Sequence, residues 1–495
     1  MRITLSDRPS SAEVYVLPVF DDRRPGPGAD AVSGVDVAAA LAASPGFRGG
    51  VDEAPLVVVS ASKNVPTVVL VGLGSRKSVG AREVRVAALR AGAVIRGRRR
   101  VATTLGQVGD DRAESVRAVA EGFLLGAYVT PRPGSAPRPS YESAPTALTC
   151  IVSPDDRKRP DVRAALEAGQ VTGERADWVR TLTELPSSHL TPSLLADAIA
   201  ADAAEAGYEM RVWNADELAE HGFGGLLSVS RGSVEPPRLV ELRYGDQSHP
   251  LGLVGKGLTF DAGGINLKKF GSEIHYMKCD MASAAAVAGA VSVAARLGLA
   301  VGIRALLPLT ENMPSGSATR PGDVITHPNG TTTEVSDTDC EGRLVLADGI
   351  AYLVGEGVNG VIDVGTLTDA AGYGPALMAV ASTDDDLAAE VLAAGAAGGE
   401  DGARLPLVPS YVELMRSPVA DLVNGTIHIP DSSVLAATYL RQFAGSTPWA
   451  HLDIGSTAWL TDDWGGFPKG PTGVPLRTLV RLLEARADQA AVRQS

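Results

Sequence analysis

The chain has 495 residues, 45% of them apolar and 21% charged, with 55 glycines and 32 prolines spread along its length. That length suits two or three domains around a large core, and the composition excludes a disordered or fibrous protein. A net charge of −13 argues against nonspecific binding to nucleic acid or acidic membranes.

The first residues, MRITLSDRPSSAEVYVLPVF, alternate apolar and polar side chains as a strand does and lack the layout of a secretory signal. VYVLPVF and TVVLVGLG predict strands, and helical patterns fall near 33–43 and 80–96. Arg96, Arg98, Arg99 and Arg100 form a local basic cluster, read as a solvated face or helix end. The Pro- and Ser-rich stretch 130–145 predicts a loop before the strand ALTCIVSP and a helix around 161–180. Beyond it, LGLVG, a helix at 281–297, VGIRALLPL, a helix at 343–356 and NGVIDVGTL alternate strand with helix. This order predicts an α/β protein: a smaller N-terminal α/β domain at 1–165, a connecting helix at 166–180 and a larger C-terminal domain at 181–495. The larger domain is expected to hold a mixed, mostly parallel central sheet flanked by helices, with ligands beyond the carboxyl ends of its strands. The apolar stretch 281–301 is Ala-rich and interrupted by Ser and Arg296, so it reads as a buried helix and not a membrane span. Residues after about 485 are expected to fray. Cys150, Cys279 and Cys340 form an odd set without zinc-finger spacing, which fits a reducing compartment and predicts a cytoplasmic protein.

Two dense segments carry the chemistry. LVGKGLTFDAGGINLKKFGSEIHYMKCDMASAA supplies Lys256, Asp261, Lys268 and Asp280 among five glycines, and EVSDTDCEGRLVLAD supplies Asp339, Glu341 and Arg343. Read as extended chain, Asp339 and Glu341 share one side and Cys340 faces the other, the geometry of a metal-ligand pair. Isolated Lys, Asp and Glu are usually surface charges, but two such clusters at glycine-rich strand ends are costly to keep without a function. Converging carboxylates repel unless a cation compensates them, and one or two divalent ions provide that compensation. A pair of ions can share a water, acidify it and polarise a scissile carbonyl, so hydrolysis needs no serine or cysteine nucleophile. HExxH is absent, His275 reads as a loop residue, and oxygen-rich ligation suits Mn or Mg as well as Zn.

At these residues the sequence closely resembles the leucyl (cytosol) aminopeptidase family of dinuclear metallo-exopeptidases. VGKGLTFDAGGINLK, NMPSGSATRPGDV and EVSDTDCEGRLVLADG carry the match, with weaker similarity from about 180 through PTGVPLRTLV. The resemblance implies two divalent ions per subunit, Mn or Zn with Mg or Co as further options. Their ligands would be Lys256 as a neutral amine, Asp261, Asp280, Asp339 and Glu341, with Asp261 and Glu341 touching both ions. It implies Lys268 as the oxyanion-stabilising residue, Arg343 as the holder of a bicarbonate general base, peptide substrates with a free N-terminus, and a homohexamer. It places Met277, Thr366, Asp369, Gly455 and Ala458 around the pocket for the first side chain.

The chain departs from the family's pattern in several places. Asp337 and Cys340 stand in its Asn-Thr-Asp-Ala-Glu stretch, and one extra residue separates Asp261 from Asp280. Asp369 replaces a glycine, which predicts a preference for polar or basic first residues unless its carboxylate caps the following helix. Asp431, Ser432 and Ser433 stand where the family has a glycine pair. No ligand is lost, so a noncatalytic binding protein on the same fold is the weaker alternative. A specialised dipeptidase or peptide-conjugate hydrolase stays open beside a general aminopeptidase.

Overall fold

The computed structural model describes residues 1–8, 11–59, 65–134, 143–269, 271, 273–368, 370–426 and 433–494. The chain divides into two compact units, one of residues 1–177 with 462–469 and one of 178–461 with 470–495.

In the first unit six strands, β1 (Arg2–Ser6), β2 (Val14–Val19), β3 (Leu56–Val58), β4 (Thr67–Gly72), β5 (Arg100–Thr103) and β6 (Ala147–Ile151), lie in the order β1-β6-β5-β2-β4-β3. Only the β3–β4 pairing is antiparallel. Central strand β2 is buried at every residue, as a parallel strand covered on both faces must be. The helix expected near 80–96 forms at Ala81–Val94, and that near 33–43 shortens to Val37–Ala43, where Asp36 caps the Ala39 N–H. A further helix, Arg112–Ala127, has no clear sequence signal because nearly all of it is buried, so no polar stripe marks its period.

The second unit is built on a nine-stranded sheet. In chain order its strands are β7 (Glu209–Trp213), β8 (Arg238–Tyr244), β9 (Leu251–Gly255), β10 (Gly257–Asp261), β11 (Ile303–Asn312), β12 (Gly360–Gly365), β13 (Met378–Ser382), β14 (Gly402–Arg404) and β15 (Trp449–Asp453). They run β14-β13-β15-β12-β9-β11-β8-β7, with β10 pairing β11. Pairings at β13–β15, β11–β8 and β8–β7 are antiparallel and the remainder parallel, which is the mixed, mostly parallel sheet expected. Strands β9, β12 and β15 are buried throughout.

Helix Ala282–Leu297 packs among them. The run Ile274–Leu297 is long and apolar enough to cross a membrane, yet 83% of its most apolar window lies inside the protein, so it is a core helix made of small side chains. The topology brings the carboxyl ends of β9, β10, β11, β12 and β15 to one edge of the sheet, where polar residues collect. A small sheet of Val324–Thr326, Thr332–Glu334 and Leu422–Val423 leads into the second ligand segment.

Candidate metal centre

Lys256 follows β9 directly and Asp261 ends β10, so the sheet itself carries two of the candidate ligands. Asp280 comes from the 3-10 turn Ile274–Met281 that leads into the core helix. Glu341 and Arg343 stand at the start of the buried helix Gly342–Gly355. Lys256, Asp261, Asp280, Glu341 and Arg343 are each less than 5% exposed.

The charges interlock. Lys256 Nζ lies 2.8 Å from Asp280 Oδ2, 2.8 Å from Glu341 Oε1, and donates to the Thr366 carbonyl at 3.0 Å. Lys268 Nζ lies 2.8 Å from Asp261 Oδ2 and 2.6 Å from Asp339 Oδ1. The close approach of Lys256 requires glycine at 342, since a Cβ there would stand 2.7 Å from its Nζ. Four carboxylates thus face two ammonium groups.

Burial pushes the Asp280 carboxyl up to about 8, with Asp261 and Glu341 adding to the rise and Lys256 opposing it. Asp339 is pushed up to about 7 by burial and by the same neighbouring carboxylates, against Lys268. Burial also raises Glu341, reinforced by Asp261. Burial alone would lower both lysines, but the surrounding carboxylates outweigh it and hold them above their ordinary value. The protein's own charges therefore favour an ammonium at Lys256, and a neutral Lys256 requires divalent cations to replace that charge.

One carboxylate oxygen from each of Asp261, Asp280 and Glu341 lies within 4.8 Å of the others. Glu341 Oε2 is buried and has no hydrogen-bond partner among the described residues. A buried carboxylate oxygen left unpaired among other carboxylates fits a cation. The donor set, carboxylates plus one lysine and no histidine, is hard and oxygen-rich.

All these groups line one cavity of about 830 Å³, together with Met277, Thr366 and Gly455 from the expected pocket. Ala458 is buried, holds the Ile454 carbonyl through its N–H at 2.8 Å, and is not among the described residues that line the cavity. Asp369, Asp431 and Ser432 lie outside the described residues. His275 belongs to the 3-10 turn, not a loop; it is exposed, its ring meets that of Tyr276 at a 43° tilt, and it is not among the described residues that line the cavity.

The extended reading of 339–341 is corrected. Asp337 Oδ1 accepts the Asp339 N–H at 2.9 Å and its carbonyl accepts that of Cys340 at 3.3 Å, closing a turn. Glu341 already has helical angles, so strand alternation does not apply, and Cys340 lines the cavity with its neighbours.

Uncharged residues that hold these groups had escaped notice in the sequence. Asn312, at the end of β11, donates to Asp261 Oδ1 and to the Thr338 carbonyl, both at 2.9 Å. Asn266 and Thr338 exchange bonds, the Asn266 N–H to Thr338 Oγ1 at 2.8 Å and the Thr338 N–H to Asn266 Oδ1 at 3.0 Å, which fastens the Lys268 loop to the Asp339 turn. Asn424 accepts from the Ser336 N–H at 2.9 Å, while its carbonyl accepts from Arg343 Nη1 at 2.7 Å. In the sequence Asn312 falls just beyond the expected strand VGIRALLPL, which is the signal available for it.

Known proteins resemble this chain along most of its length. A family model described as "Cytosol aminopeptidase family, catalytic domain" matches residues 177–480, and its "N-terminal domain" counterpart matches 16–133. A protein of Solibacter usitatus named "Probable cytosol aminopeptidase" is 37% identical over 97% of this chain and 99% of its own length. One of the same name from Syntrophotalea carbinolica is 38% identical over 89% of this chain and 90% of its own. Among solved structures, "Bottromycin maturation enzyme BotP in complex with Mn" matches with a TM-score of 0.84 at 37% identity, covering 96% of this chain and 100% of that one.

Proposed function

The chain belongs to the cytosol aminopeptidase family and is a peptidase, and from that premise we propose that it removes the N-terminal residue of peptides with a water activated at two divalent ions. The observation that carries this reading is the convergence of Asp261, Asp280 and Glu341 within 4.8 Å, with an unpaired Glu341 oxygen, inside the 830 Å³ cavity. Lys256, Asp261, Asp280, Asp339 and Glu341 would hold the ions. Bound, such ions supply Lewis acidity to the scissile carbonyl and acidify a shared water.

The remaining tasks belong to the chain's own side chains. Lys268, held between Asp261 and Asp339, offers a fixed positive charge to the carbonyl oxygen as it becomes an oxyanion. Met277, Thr366 and Gly455 receive the first side chain. A free α-amine on the substrate sets which peptide bond is cut, and a bicarbonate held at Arg343 would serve as the base, as the family resemblance implies. The same resemblance supports a cytoplasmic homohexamer, which sedimentation velocity tests through the mass of the particle. The polar or basic preference tied to Asp369 is tested by comparing Lys and Arg substrates with Leu.

Likeness to a bottromycin maturation enzyme across that protein's whole length favours a second reading, a peptidase specialised for one particular peptide or conjugate. It predicts slow cleavage of simple aminoacyl anilides beside rapid cleavage of one longer peptide.

The decisive assay strips metal with a chelator, restores Mn, Zn, Co or Mg separately, and follows aminoacyl anilides with N-acetylated controls. Activity should return with metal and spare the blocked substrates. Cleavage of N-acetylated substrates, or indifference to the chelator, overturns the proposal.

A further inference from the structure

Asp453 ends β15, two strands from β9 along the same sheet edge, and is completely buried. Its Oδ1 accepts the N–H groups of Gly455 at 3.1 Å, Leu367 at 3.3 Å and Thr368 at 3.5 Å, and its Oδ2 accepts the Thr368 hydroxyl at 2.5 Å. One carboxylate therefore gathers two loops, the one after β12 and the one after β15, and both supply cavity-lining residues: Thr366, Leu367 and Thr368 from the first, Gly455 from the second. The loops touch without slack. A Cβ on Gly455 would stand 1.8 Å from the Thr368 carbonyl oxygen.

The first loop is held from two more directions. At its start the Thr366 hydroxyl donates to Asp280 Oδ1 at 2.5 Å, and its carbonyl takes the Lys256 ammonium. Further along, the Ser433 hydroxyl meets that of Thr368 and accepts the Ala371 N–H at 2.7 Å. Ser433 opens the helix Ser433–Ala444, so that helix reaches the pocket wall through a side chain that a glycine would lack. A segment fixed at one end to candidate ligands and at the other to a buried carboxylate cannot widen for a larger side chain without breaking bonds at both.

We propose that Asp453 is a positioning residue that sets the width of the first-side-chain pocket through Thr368, and that Ser433 completes the tether. Selectivity for the substrate's first residue then depends on this buried network as well as on the groups that line the cavity. The inference rests on the aminopeptidase reading, because only a substrate held by its N-terminal residue presents its first side chain here.

The test measures kcat/KM for Ala, Leu, Phe and Lys anilides with the metal-loaded wild type, Asp453→Asn, Ser433→Gly and Ser433→Thr, and measures bound metal per chain for each. Asp453→Asn turns two good acceptor positions into one, so the Phe-to-Ala ratio should rise roughly tenfold as the wall loosens, with metal content unchanged. Ser433→Gly should move the ratio the same way by roughly threefold, the worth of one hydrogen bond, and Ser433→Thr, which keeps the hydroxyl, should restore it. Should Asp453→Asn fail to fold, the two Ser433 variants decide the matter. Equal losses on all four substrates, or an unchanged Phe-to-Ala ratio in an active enzyme, overturn the inference alone. A wild type inert toward every substrate overturns the aminopeptidase reading and this inference with it.

Discussion

Two buried charge clusters, one in each unit, show how similar groups serve different ends. In the N-terminal unit Arg85 Nε and Arg117 Nε meet the two oxygens of Glu121 at 2.7 and 2.8 Å, and all three side chains are at most 5% exposed. Both oxygens of its one carboxylate are engaged. At the edge of the larger sheet Asp261, Asp280, Asp339 and Glu341 share two lysines, and Glu341 keeps an unpaired oxygen. A carboxylate outnumbered by guanidiniums supports a fold, whereas a cluster with surplus buried negative charge has a place for a cation.

Neutralising the central acid of each cluster should break the comparison most visibly. Glu341→Gln should cut kcat/KM by more than the roughly 100-fold typical of losing a group that only orients a metal ligand. In chelator-treated protein it should leave stability unchanged or higher. Glu121→Gln leaves two buried guanidiniums without their carboxylate and should cost about 3–5 kcal/mol in denaturant unfolding. Equal stability losses in the two variants would erase the distinction. Lys268→Met comes next: kcat should fall about 100- to 1000-fold with KM and bound metal nearly unchanged, as steady-state kinetics with elemental analysis would show. A loss of metal instead would assign Lys268 to holding the carboxylates and not to the oxyanion. Smallest is Cys340→Ala, expected to change kcat/KM less than about twofold, because a thiol raises neither ligand count nor charge at an oxygen-rich site.

The charged half of this site was legible because several ionisable residues among glycines at strand ends have few structural explanations. Its support was not. Asn266, Asn312, Thr338 and Asn424 are ordinary turn and strand-end residues in sequence, and only the fold shows that Asn312 holds Asp261, that Asn266 and Thr338 tie the Lys268 loop to the Asp339 turn, and that the Asn424 main-chain carbonyl holds Arg343. The reading of 339–341 as extended failed because a side chain two residues away, Asp337, closes a turn that strand periodicity cannot register. Helix Arg112–Ala127 stayed hidden for the opposite reason, being buried on nearly every side with Arg117 and Glu121 inside it. The alternation of strands and helices in the larger unit was readable because its central strands are continuous apolar runs.

The most direct measurement is a calorimetric titration of chelator-stripped protein with Mn at several pH values between about 6 and 8.5. The account predicts two ions per chain, bound more tightly as pH rises. Asp280, pushed up to about 8, and Asp339, pushed up to about 7, hold protons below those values that the metal must displace, so each step upward in pH removes a competitor. Fewer than two ions per chain, or an affinity indifferent to pH across that window, would contradict it.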